Sequence, residues 1–141
     1  MKEFYDAVKA LLPADVTVYQ FNAELSVPPV RADYPYVVLG GDAGWDFSGD
    51  GPELPSLSAE LDGKEMRVMA TMAGTSISSL DFVIKRVRQG LSGKKPVVPG
   101  WACSDMVQAP LLNIQPDRDI SIGGMNPIFM VDEYVFTATR N

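Results

Sequence analysis

Tyr34-Pro35-Tyr36-Val37-Val38-Leu39-Gly40 reads as a proline-led approach to a short buried strand. Proline fixes its own φ and pushes the residue before it toward an extended conformation. The apolar residues that follow suit a strand, and Gly40-Gly41 closes the run. An acidic, glycine-rich loop comes next, with no lysine or arginine between Arg31 and Lys64. A buried strand opening into an acid-only loop describes a small core with a contact arm. It does not describe a catalytic cleft.

Working outward, residues 2–12 predict a short helix with Phe4, Val8 and Leu11 on one face, stopped by Pro13. Residues 16–21 predict the first strand. Residues 22–33, with Pro28-Pro29, predict an extended connection, because a double proline does not fit a central strand. Beyond the 41–55 loop, residues 56–61 and 64–72 predict a hairpin across Asp62-Gly63, the preferred pair for a type I′ turn. That register sets Leu61 opposite Lys64, Ala59 opposite Met66 and Leu57 opposite Val68, and places Glu60 across from Glu65.

Residues 75–91 predict the longest helix. Ile77, Leu80, Val83, Ile84, Val87 and Leu91 form its apolar stripe, Thr75 or Ser76 caps it, and Gly93 ends it. Strands are expected at 101–108 and 111–115, interrupted by Pro110, then at 119–122 and 129–139. The order predicts an α+β fold over residues 1–141: an antiparallel or mixed sheet, a long amphipathic helix packed on it, and a short N-terminal helix.

Composition narrows the function. A chain of 141 residues with 46% hydrophobic residues supports one domain with a real core. The net charge of -6 disfavours nonspecific binding to DNA or to an anionic membrane. Histidine is absent, which removes the usual general base and the commonest metal ligand. Cys103 is the lone cysteine, so no internal disulfide is possible, and a reducing compartment is the simpler expectation. The first residues show no signal-peptide pattern, and no apolar run is long enough to cross a bilayer. The expected product is a soluble, acidic, intracellular protein.

Candidate chemistry is sparse. Asp46-Phe47-Ser48-Gly49-Asp50-Gly51 has the alternating oxygen donors and sixth-position glycine of a calcium loop. The twelfth position, which needs a glutamate, is Leu57, so a solvated loop is the competing reading. Gly90-Leu91-Ser92-Gly93-Lys94-Lys95 has the wrong spacing for a phosphate loop and follows a helix instead of preceding one. Asp42, Asp46, Asp50 and Glu53 share one glycine-rich loop, which does not hold an acid–base pair rigidly. Cys103 has no histidine to activate it and reads as a small hydrophobe. Trp45 and Trp101 are each either a contact anchor or a lid on the core.

Organisation says more than chemistry. Segments 22–35, 41–55 and 92–100 are long connections that carry Val27, Val30, Trp45, Phe47, Val97 and Val98. Connections longer than about 12–15 residues are usually functional or disordered. Apolar groups on such arms suit contact with a neighbouring subunit. The acidic 42–62 stretch and the basic run Lys85, Arg86, Arg88, Lys94 and Lys95 are opposite in sign. They fit either two solvated faces or the two sides of a head-to-tail ring contact. Candidate interface residues are therefore Trp45, Asp46, Phe47, Asp50, Arg86, Arg88, Lys94 and Lys95.

Several features in one order carry a resemblance. A short N-terminal helix ends near Leu12, and the Tyr34–Gly40 strand follows. Met66-Arg67-Val68-Met69-Ala70 leads into the 75–91 helix. Asp117-Arg118-Asp119-Ile120 precedes the last strand, which includes Phe129-Met130-Val131-Asp132-Glu133-Tyr134-Val135-Phe136. The chain resembles the tail terminator (tail completion) proteins of long-tailed bacteriophages. That resemblance implies a structural virion protein at the head–tail junction, made in the host cytoplasm. It implies a homo-hexameric ring that caps the head-proximal end of the tail tube, stops its polymerisation and presents a surface to the head–tail connector or head completion protein. No catalysis, cofactor, metal, membrane contact or sequence-specific nucleic acid is expected, though DNA would pass through the ring. A head–tail connector, a tube component, and a calcium- or ligand-binding module using residues 46–51 are the alternatives.

Overall fold

The computed structural model describes residues 1–47 and 63–141. Its elements are α1 (Lys2–Ala10), β1 (Val18–Gln20), a 3-10 turn (Arg31–Asp33), β2 (Tyr36–Gly41), β3 (Trp45–Phe47), β4 (Gly63–Gly74), α2 (Ile77–Leu91), β5 (Trp101–Cys103), β6 (Val107–Pro116) and β7 (Ile128–Arg140). Seven strands form one mixed sheet, so the α+β expectation holds. The path runs β1-β2-β4-β7-β5, with β3 continuing the β2 side of β4 and β6 sharing the outer edge of β7 with β5. Among the described strands only β1 and β2 run parallel.

Alternation along the central strands divides the sheet into two faces. Val37 and Leu39 of β2, Met66, Val68, Ala70 and Met72 of β4, and Met130, Tyr134, Phe136 and Ala138 of β7 point to the face covered by both helices. There they meet Phe4, Tyr5 and Val8 of α1 and Leu80, Val83, Val87 and Leu91 of α2, all essentially buried. Tyr5 donates its hydroxyl to the Asp42 carbonyl at 2.6 Å, tying α1 to the end of β2. The helices approach each other at Gly90, where a Cβ would lie 3.0 Å from the Leu11 carbonyl oxygen. A glycine is what lets the end of α1 cross α2 there.

Four expectations change. The 56–61 arm of the hairpin lies outside the described residues, and its partners are taken. Val68 is flanked by Gly41 and Tyr134, and Lys64 by Asp46 and Ala138. The Asp62-Gly63 turn signal is local, whereas β4 is central and fills both edges with distant strands. Glu65 accordingly sits between Trp45 and Thr137 and pairs with Arg67 at 3.4 Å. Pro110 does not interrupt β6. It occupies an edge strand opposite Asp132, and the register shifts just after it. Residues 119–122 form no strand; Ile122 bridges to Met125 across Gly123-Gly124. The first strand is shorter than 16–21, because Phe21 turns out at φ 68 and lays its ring 4.8 Å from that of Tyr5.

The long helix follows its pattern closely. Ser76 is the cap, accepting from the Ser79 N–H, and Asp81 pairs with Lys85 at 2.9 Å. The stripe is narrower than expected: Ile77 is 60% exposed and Ile84 only partly buried.

Candidate interaction surface

Among the described residues no helix covers the second face of the sheet. Val38, Met69, Thr71, Val131, Val135, Val107 and Leu112 lie on it, with Arg67, Glu65 and Glu133 forming an ion-pair cluster among them. Trp45 pairs with Glu65 in register, so it shares this face, and it is 56% exposed. Asp46 points the other way and meets the Lys64 ammonium at 3.3 Å. Lys64 also donates to the Ala43 carbonyl and reaches toward the Phe4 ring. Trp45 and Asp46, adjacent in the candidate interface, therefore serve opposite faces. The backbone of Phe47 pairs with Gly63. Asp50, most of the 46–51 calcium-like loop and Glu53 lie outside the described residues. Among the described residues no cluster of three or more Cys, Asp or Glu is arranged to hold a metal ion.

The basic half of the candidate interface divides too. Arg88 reaches under the helix to Asp132, with Nε to Oδ2 at 2.8 Å and Nη2 to Oδ1 at 3.0 Å. The bidentate bond to this fully buried carboxylate holds the guanidinium above its ordinary pKa. Its charge is thus matched inside the chain by Asp132. Sequence reasoning placed Arg88 away from the apolar stripe and missed Asp132. The signal was present: Asp132 is the one acid on the strand face of Met130, Tyr134, Phe136 and Ala138, and an acid buried among apolar residues needs a partner. Arg86 sits 3.3 Å from Asp15 and stacks near the Phe82 ring. Lys94 and Lys95 are exposed just past the end of α2, where the chain is pinned by bonds between Gly93 and Met106 and between Met106 and Lys94.

The tryptophan alternatives resolve differently. Trp101 is half-buried, edge-on to Phe4 at 5.3 Å, and is a lid on the core. Trp45 stays exposed. Cys103 is partly buried, and that burial pushes its thiol up, away from the reactive thiolate.

Two apolar features are exposed where sequence reasoning named no groove. The outer edge of the sheet is β6, ten residues long, with Val107, Leu111, Leu112 and Ile114 each at least 45% exposed. Between it and α2 runs a groove of about 330 Å³ lined by Ile77, Ser78, Leu80, Asp81, Ile84 and Ile114. At the opposite edge of the sheet, the 22–33 connection leaves β1. Val27 at its tip is 99% exposed and Val30 45%. This connection is shaped. The Asp33 carboxylate accepts from the Val30 N–H at 2.8 Å and from the N–H and hydroxyl of Ser26 at 3.2 and 3.0 Å. Those bonds, the Val30 one foremost, hold the Asp33 carboxyl below its usual pKa.

A third feature is a tyrosine cluster on the face of the sheet away from the two helices. Tyr36 lies against Tyr19 and Tyr34, with ring centroids at 5.9 and 5.2 Å. Burial, then the neighbouring Tyr34 and Asp117, push Tyr36 up to about 12. The cluster borders a cavity of about 160 Å³ with Thr71, Asp117 and Phe129. Among the described residues no helix is long and apolar enough to cross a membrane. No known protein-family model matches the sequence, and no curated protein matches it.

Proposed function

We propose that this chain is a structural assembly protein that closes into a ring and caps the head-proximal end of a phage tail tube. On this reading it ends tube polymerisation, presents the head-attachment surface and catalyses nothing. The observation that carries it is the one-sided layering of the fold. Both helices cover one face of the sheet, while the other face and the β6 edge expose Trp45, Met69, Val107, Leu111, Leu112 and Ile114. Exposed apolar surface of that kind marks a contact site. The sheet has two unlike edges, a three-residue β1 and a ten-residue β6. Contacts between unlike surfaces are heterologous and close into rings when the rotation permits. The resemblance to tail terminators supplies the particular role, and the net charge of -6 suits a ring through which DNA must slide.

Electron microscopy of the purified protein tests this reading. Closed rings are the expected result. Long filaments would favour a tube component, and single molecules at every concentration, with no binding to tubes, would contradict it.

A further inference from the structure

We propose that the Val27 tip of one subunit docks into the groove between α2 and β6 of the next copy of this chain. The proposal rests on the ring reading above and names the contact that would build it. The connection carrying Val27 leaves the β1 edge, and the groove lies at the β6 edge, so one copy offers the knob and the groove to different neighbours. A contact with that geometry is head-to-tail and propagates around a ring.

The shapes and chemistry agree. Val27 is 99% exposed and followed by Pro28-Pro29, and Asp33 holds its loop through three hydrogen bonds. A pre-shaped apolar tip loses little conformational freedom on docking. The groove is walled by Ile77, Ile84 and Ile114, with room for a small branched side chain. The flanking charges are complementary. Glu24 and Arg31, both exposed, flank the tip in sequence, while Asp81 lines the groove and pairs at 2.9 Å with Lys85, one helical turn on. Docking exchanges the exposed Asp81–Lys85 pair for Arg31 against Asp81 and Glu24 against Lys85, which fixes one direction of entry. Among the described strands β6 pairs only with β7, so its outward backbone edge beside the groove carries no strand partner there.

The test mixes two populations in a Cys103→Ser background, one carrying Val27→Cys and the other Ile77→Cys, under mild oxidation. A disulfide needs Cα atoms within about 7 Å. The expected result is cross-linked pairs containing one of each subunit, with Val27→Cys alone giving none. Sedimentation is expected to show association weakened at least about tenfold by Val27→Asp and by Arg31→Glu, as for loss of one anchoring contact. Asp81→Arg is expected to restore association to the Arg31→Glu protein. Val27 and Arg31 are exposed loop residues, and an unchanged circular dichroism spectrum shows that the variants fold. Rings that form normally with Val27→Asp, without the mixed cross-link, overturn the docking contact and leave the ring reading standing. A wild-type protein that never associates overturns both.

Discussion

The Asp132 carboxylate is completely buried and is held there by Arg88, with the Tyr134 hydroxyl donating to it at 3.4 Å. Removing one partner of such a pair leaves a charge without water or counterion. Arg88→Met is therefore expected to destabilise the fold by about 3–5 kcal/mol in chemical denaturation, and Arg88→Met with Asp132→Leu to recover most of that loss. An unchanged midpoint in the single variant would show that the pair does not hold α2 to β7. The sequence made Asp132 conspicuous as an acid in an apolar strand, but its partner is 44 residues away and only the packing of α2 across the sheet brings them together. Tyr5 and Tyr36 give a second prediction at this scale. Burial pushes both up to about 12, against about 10 in an unfolded chain. The unfolded state loses its tyrosine protons first, so their contribution is fully present below about pH 10 and is lost as pH rises toward 12. Urea midpoints measured across that window are expected to fall, and a flat profile would contradict the burial of these hydroxyls.

At the scale of elements, α2 was legible because its period, its cap and its i,i+4 ion pair all agree locally. Ser76→Ala is expected to cost about 1 kcal/mol by removing the cap bond to Ser79. Leu80 and Ile84 belong to the same predicted stripe yet differ in the fold, since Leu80 is fully buried and Ile84 lines an open groove. Leu80→Ala is expected to cost about 2–5 kcal/mol, and Ile84→Ala clearly less. Equal losses would mean that the groove is closed in solution. The strand partners were not legible in the same way. Asp62-Gly63 is a strong local turn signal, but the pairing of β4 with β2 and β7 is long-range and is settled by which faces the two helices cover. Pro110 misled for a related reason: proline excludes a central strand but is accepted on an edge, and edge position is a property of the whole sheet.

For the whole molecule, the sequence showed that apolar residues ride on connections but not how they are arranged in space. The fold separates them: Val98 and Trp101 turn inward, while Val27, Trp45 and the β6 side chains stay outside. Among the described residues the helices cover one side of the sheet, with a shaped apolar knob at one edge and a groove at the other, and on the proposed reading these seat copies of the chain against each other. Adding the purified protein to tail-tube subunits as they polymerise, and following tube length and end decoration by electron microscopy, tests the capping role most directly. Tubes that stop growing with a single ring of this protein at one end are the predicted result. Tubes that grow unchecked with bare ends, or that take up the protein along their length, would contradict it.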